Sequence, residues 1–291
     1  MLGGMRQRKI GDFDVSAIGL GGMPMSIQGR KSPETSIATI HAALDVGITF
    51  IDTADSYTLD EDGHGHNELL IAEALRTYGS DTSHVLVATK GGLIHRDEGH
   101  WANDGRPEYI VRAAKESAQR LGVDTIGLYQ FHQPDPAVPF KESVGALRAL
   151  YEAGIVRYVG VSNVTVAQIR EARRILSHAF VSVQNRFSPA WRHSAPELEA
   201  CIELDLAFLP WSPLGGIGAA GKVGKHNAAF REVAAELGVS PQQVALAWEL
   251  HLSHLVIPIP GASRPASIRD SALAAELDLT PETMSYLSAS K

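Results

Sequence analysis

The feature that most constrains this chain is an alternation of short apolar runs with segments of helical spacing, repeated eight times. The apolar runs lack the in–out period of a half-solvated sheet. They read instead as strands buried on both faces, the pattern of parallel strands in α/β proteins. The first helix opens at Ser32-Pro33-Glu34, with Ser32 as N-cap and Pro33 at the first helical position. It continues through Ile37, Ile40 and Leu44 and stops at Gly47. Further helices are expected over 67–78, 107–121, 140–153, 166–177, 196–204 and 265–275, with another opening at Ser240. There Ser240 and Gln243 have the spacing of a capping box. Strands are expected over 15–22, 46–51, 85–89, 125–131, 156–161, 181–183, 206–209 and 255–258, preceded by a small hairpin over 9–15. Eight strand–helix pairs with short connections in 291 residues imply one domain over 1–291, a closed parallel (β/α)8 barrel led by a β-hairpin. An open doubly wound sheet is the alternative, and eight units favour closure.

The ends of these strands carry the second observation. Asp52, Lys90, His132, Ser162, Asn163, Gln184 and Trp211 all fall at or just past carboxyl ends of successive strands. In a barrel that rim is where sites are built, so residues distant in sequence become neighbours there. Taken alone, Asp52 followed by Tyr57 has two readings. It is either a turn capped by the acid with a half-buried tyrosine, or half of an Asp/Lys pair serving a reactive phenol.

Composition excludes several classes. The formal net charge of −7 argues against nonspecific binding to nucleic acid or anionic membrane. One cysteine, Cys201, permits no internal disulfide and fits a reducing compartment. The start of the chain lacks the apolar core of a signal peptide, and no apolar run is long enough to span a bilayer. A soluble, cytoplasmic protein is expected. His64-Gly65-His66 follows Asp60-Glu61-Asp62 without further ligand spacing, and we read it as a flexible acidic loop with no metal. Gly216 to Lys222 fits a P-loop until Val223 replaces the Ser/Thr that magnesium needs. Gly19-Leu20-Gly21-Gly22 lacks the later glycine of the dinucleotide fingerprint and reads as a tight turn.

The strand ends carry Asp52-Thr53-Ala54 with Tyr57, Thr89-Lys90, Leu128-Tyr129-Gln130-Phe131-His132 and Gly160-Val161-Ser162-Asn163. Gln184-Asn185, Trp211-Ser212-Pro213-Leu214-Gly215 and Ile257-Pro258-Ile259-Pro260-Gly261 complete the set. Together and in this order these motifs resemble those of the aldo-keto reductase family. The resemblance implies a (β/α)8 barrel and NADPH-dependent reduction of a carbonyl to an alcohol. Such a reaction builds negative charge on oxygen and needs a proton donor. A free phenol ionises near pH 10, and an adjacent ammonium lowers that value. The resemblance thus gives Tyr57 as donor, Lys90 as the ammonium, Asp52 as its counter-ion and His132 as the group orienting the substrate oxygen.

For the cofactor it implies Ser162, Asn163 and Gln184 on the nicotinamide amide, Trp211 stacked on the ring, and Gly22 and Met23 nearby. Phosphates fall to the loop Gly215-Gly216-Ile217-Gly218, the start of a mobile loop over the cofactor, and to Gly261, Ala262, Ser263 and Arg264. Asp52, Ser212 and Leu214 are also expected to contact the cofactor. Arg264 on the 2′-phosphate favours NADPH over NADH. Asp270 keeps the acidic character usual at its position. Ser267 and Ser271 stand where many members have an arginine or glutamine and an adenine-contacting asparagine. Met25 and Trp101, with His132, are expected to face the substrate, and Met23, Phe187 and Trp191 to line its wall. The loop 91–107 is the longest at the mouth. The chain ends at Ser290-Lys291, soon after the 265–275 helix, which predicts an uncovered mouth and broad acceptance of aldehydes or ketones. The expected partner is a small-molecule carbonyl compound, on a monomer or weak oligomer. A cofactor-binding regulatory barrel, like the reductase-related β subunits of potassium channels, is the first alternative. A metal-dependent hydrolase is the second, and the 12 histidines supply it no ligand set.

Overall fold

A hairpin leads the chain: β1 (Gln7–Ile10) and β2 (Phe13–Ser16) pair antiparallel about Gly11, whose φ of +59° suits glycine. This computed structural model describes residues 5–59, 63–96 and 100–290. The barrel strands follow as β3 (Leu20–Gly21), β4 (Phe50–Asp52) and β5 (Leu86–Gly91), with helices α1 (Pro33–Asp45) and α2 (His66–Thr77) between them. A second hairpin, β6 (Leu93–Arg96) and β7 (His100–Asn103), rises from the rim before α3 (Pro107–Leu121). The alternation resumes with β8 (Ile126–Phe131), α4 (Phe140–Glu152), β9 (Val156–Ser162), α5 (Val166–Leu176), β10 (Phe180–Gln184), α6 (Ala195–Leu204) and β11 (Ala207–Phe208). Five helices close the described chain: α7 (Val223–His226), α8 (Ala228–Leu237), α9 (Pro241–Leu252), α10 (Pro265–Ala272) and α11 (Pro281–Ala289).

Seven strands form one parallel sheet in the order β11-β10-β9-β8-β5-β4-β3. The segment 255–261 closes it into a (β/α)8 barrel. Val256 bridges Phe208 on one side, and Gly261 bridges Gly21 on the other. Main-chain bonds run from Ile257 N to Phe208 O (2.9 Å) and from Gly21 N to Pro260 O (3.0 Å). The strand expected at 255–258 is therefore present as a closing segment and not as a regular ladder. Pro258 and Pro260 have no N–H to donate, which breaks the ladder into isolated bridges. The expected strand over 15–22 is likewise split, because Ser16 still belongs to the hairpin. Ile10 and Val15 of that hairpin pack with Leu86, Leu128, Val181, Ala207 and Ile257, so the hairpin plugs one end of the barrel.

Local chemistry explains several helix ends. Ser32 accepts from Thr35 N, and Thr165 and Gln168 cap α5 reciprocally. The box expected at Ser240 is only half formed. Ser240 accepts from Gln243 N at 3.1 Å, but the Gln243 side chain donates to Asp270 at 2.6 Å instead of returning to the cap. Three helices lie outside the expected set, α7, α8 and α11. Phe230 of α8 is fully buried and meets Trp248 of α9 edge-on, and Trp248 stacks on Phe187 at 5.8 Å. Each such aromatic contributes on the order of 2–3 kcal/mol of burial. Phe187, expected in the substrate wall, belongs to this core. The 91–107 segment is not an irregular loop but carries the β6–β7 hairpin. Among the described residues no helix is long and apolar enough to cross a membrane.

Candidate active site

Parallel register brings the rim residues together. Asp52 pairs with Ala88 and Lys90 with Gln130, so β4, β5 and β8 end side by side. Lys90 has no exposed surface. Its ammonium donates to Asp52 Oδ2 at 2.6 Å, to Thr53 O at 2.8 Å and to Tyr57 Oη at 3.1 Å. Those three acceptors match the three protons of an ammonium, the condition under which a buried charge is tolerable. The other Asp52 oxygen accepts from Gln184 Nε2 at 2.7 Å and Gln130 Nε2 at 3.3 Å. Tyr57 reaches this cluster because the loop after β4 folds tightly. Thr53 N donates to Ala88 O, Asp55 N to Lys90 O and Tyr57 N to Ala54 O. His132 follows β8, with its ring 5.6 Å from that of Tyr57 at 80°.

The electrostatics partly depart from expectation. Burial works against the Lys90 ammonium, yet Asp52 and then Tyr57 outweigh it and raise its pKa above the ordinary lysine value. For Tyr57, burial is the largest influence and pushes the phenol upward. Lys90 pulls the other way, as anticipated, but does not bring the phenol below its usual value. The phenol is therefore a protonated acid at neutral pH. Burial, and then Lys90, hold His132 well below the ordinary histidine value, so its imidazole is neutral. Its Nδ1 is buried without a partner.

These groups form one end of a cavity of about 1240 Å³. Asp52, Tyr57 and His132 line that end, and Lys90 lies beneath it. Along the cavity come Met23, Ser162, Asn163, Gln184, Trp211, Ser212, Leu214 and Gly216. Gly261, Ala262, Ser263, Arg264 and Asp270 also line it, as does Trp101. Gly22 and Met25 do not line it. A Cβ at Gly22 would run into the Asn67 amide, and Met25 is 1 % exposed within the core. The turn Met23-Pro24-Met25 is 3₁₀, which sends Met23 to the cavity and Met25 inward. Trp191 is also absent from the wall. It lies instead on the Arg186 guanidinium at 4.3 Å.

Several expected cofactor residues already have partners. Ser162 donates to Gln184 O at 2.7 Å. Asn163, at a left-handed φ of +58°, donates to His132 O at 3.0 Å and accepts from Trp211 Nε1 at 3.0 Å. It thus fixes the carbonyl of one rim residue and the indole of another. Asp270 takes the Ser240 hydroxyl at 2.8 Å besides Gln243. Arg264, by contrast, has no acidic partner among the described residues. The 215–222 segment, expected as a mobile loop, turns at Gly215, Gly216 and Gly218, all at positive φ, into a 3₁₀ turn at Ala220–Lys222. Gln242 clasps it by donating to Ala220 O at 2.7 Å.

The sequence assigns no role to Gln242, nor to Gln130 and Thr53 within their motifs. Gln130 had a signal: it lies near the carboxyl end of β8, the rim where sites are built. Among the described residues no group of three or more His, Cys, Asp or Glu is placed to hold a metal. The Asp60–Asp62 part of the acidic loop lies outside the described residues.

The rim of this (β/α)8 barrel thus carries a Lys-bonded phenol beside a neutral imidazole, opening on one cavity. The sequence model of the Aldo/keto reductase family matches residues 17–291, and the chain belongs to that family. It is 36 % identical over 283 residues to the uncharacterized oxidoreductase C215.11c of Schizosaccharomyces pombe, covering 96 % of this chain and 88 % of that protein. The thermostable aldo-keto reductase Tm1743, solved with the inhibitor epalrestat, superposes with a TM-score of 0.82 at 25 % identity, covering 98 % of this chain and 99 % of that one. An aldo/keto reductase from Klebsiella pneumoniae, solved with NADP and acetate, shares the fold at a TM-score of 0.79 and 24 % identity, covering 97 % and 94 %.

Proposed function

We propose that this protein reduces an aldehyde or ketone to the alcohol, with NADPH as reductant and Tyr57 as proton donor. The observation that carries the reading is the saturated Lys90 ammonium. Its three bonds tie Asp52, the Thr53 carbonyl and the Tyr57 phenol into one rigid unit at the cavity floor. The cavity fits a dinucleotide in size and in chemistry. It runs from Tyr57 and His132 to Arg264. Gly21 and Gly261 line it, and a Cβ on either would lie 2.8 Å from Ile259 O or from Pro24, so glycine lets the closing segment pack against β3 and its following turn. Trp211 offers an aromatic face, and Arg264 a guanidinium with no acidic partner among the described residues, open to a phosphate.

NADPH, when bound, supplies the hydride that adds to the carbonyl carbon. The residues of the chain do the rest. His132, held neutral, donates one N–H to the carbonyl oxygen and orients it. As that oxygen gains charge it becomes a stronger base than phenolate, and the Tyr57 proton moves to it. Lys90, kept charged by Asp52, then stabilises the phenolate without any rearrangement. The raised phenol pKa suits this direction, since the acid stays loaded at neutral pH. A panel of aldehydes, ketones and sugar-derived carbonyls, followed by loss of reduced-nicotinamide absorbance, tests the reading. Turnover of one or more is expected. Tight NADPH binding without turnover of any would instead assign the chain to the regulatory barrels.

A further inference from the structure

Behind the Lys90 cluster lies a second buried polar group that the proposed reaction does not use. Asp55, in the Tyr57 loop, and Glu68, on α2, are 2 % and 0 % exposed. Glu68 carries the bonding of an anion: Arg120 Nε donates to one oxygen at 2.5 Å and the Thr89 hydroxyl to the other at 2.5 Å. Asp55 receives far less. The Tyr109 hydroxyl donates to Oδ2 at 3.1 Å, and Oδ1 has no partner. An ionised carboxylate with one bare buried oxygen, next to a second carboxylate, is costly, whereas a protonated acid is not. Burial first, and then Glu68, push the Asp55 carboxyl up to about 8.

Asp55 is also joined to the proposed site through the main chain. Its N–H donates to Lys90 O at 3.1 Å, and its carbonyl accepts from Gly65 at 2.7 Å, ahead of α2. The ionisable groups around it come from every neighbouring element. Tyr57 and Asp52 belong to its own loop and strand end, Glu68 to α2, and Tyr109, Arg112 and Arg120 to α3. Asp104 precedes α3, Lys90 is the penultimate residue of β5 and Tyr129 lies on β8.

We propose that Asp55 is a positioning residue: its proton, retained beside the Glu68–Arg120 pair, keeps a second negative charge away from the Tyr57 phenol. The inference rests on the reading of Tyr57 as proton donor. While Asp55 is neutral, the phenol faces one buried anion, Asp52, already matched by Lys90. Once Asp55 ionises, an unmatched anion disfavours the phenolate. The phenolate is the base that the reverse reaction, alcohol oxidation, requires.

Asp55→Asn keeps the shape and removes the titration. The infrared difference between wild type and D55N reports the carbonyl stretch of a protonated carboxyl without any substrate. That band is expected at neutral pH and should fade as pH rises through about 8. In D55N the rise of alcohol oxidation with pH should move down by roughly one unit, the size of effect a nearby charge produces. Glu68→Gln is the second variant. It frees Arg120 for Asp55, so the band should fade at lower pH than in wild type. No band at neutral pH, an unmoved oxidation profile in folded D55N, or a band in E68Q that persists to the wild-type pH would each overturn the inference. If wild type turns over no carbonyl compound, the reading of Tyr57 fails separately, and the infrared band still decides whether Asp55 holds a proton.

Discussion

At the Tyr57 end of the cavity, Lys90, Asp52, Gln184 and Gln130 satisfy one another through side-chain bonds of 2.6 to 3.3 Å. At the Arg264 end the guanidinium has no acidic partner among the described residues, and Asp270 turns to Ser240 and Gln243. The first region is wired in advance, the arrangement that stabilises developing charge without reorganisation. On the proposed reading a ligand completes the second region, and its affinity depends on the charge that ligand brings. The proposed function thus divides the cavity: proton delivery falls to the first region, and cofactor choice to Arg264 in the second.

The sharpest way to break that contrast is at the wired end. Lys90→Met leaves the Asp52 carboxylate buried without its cation, so it should abolish turnover and cost about 3–5 kcal/mol of stability. Chemical denaturation beside a rate assay checks both, and a stable, active variant would undo the claim of a prewired site. At the open end, Arg264→Ala should weaken NADPH by roughly 10- to 100-fold, from loss of a charge-assisted contact, and leave NADH nearly unchanged. Fluorescence titration of both cofactors reads this directly; equal losses would remove the 2′-phosphate assignment. The smallest expected effect is a gain. Ser271→Asn restores the adenine-contacting residue type that the family resemblance implies and should tighten NADPH by about fivefold, the worth of one hydrogen bond. The same titration reads it, and no change would mean that Ser271 does not face adenine.

Much of the wired end was legible in the sequence because parallel strands put their carboxyl-terminal residues on one rim. Asp52, Lys90, His132 and Gln184 followed from that rule and from the family motifs. The closing strand was less legible, since Pro258 and Pro260 leave only bridges where a ladder was expected. Met25 and Phe187 went to the core and not to the cavity wall, because a 3₁₀ turn and a stacked Trp248 decide their direction. No local pattern encodes either. α8 did have a signal, with Phe230, Val233, Ala234 and Leu237 at helical spacing, but the adjoining glycines obscured it. The sign of the Tyr57 shift depends on how deeply the phenol is buried against how close Lys90 sits. Composition and spacing carry neither quantity.

The most direct test of the central claim is Tyr57→Phe, with turnover and NADPH affinity measured on the same preparation. The ring remains and only the proton is removed. Affinity within about twofold of wild type, with turnover reduced by roughly 100-fold or more, is the predicted result. Near-normal turnover would contradict the account, since the proton would then come from another group.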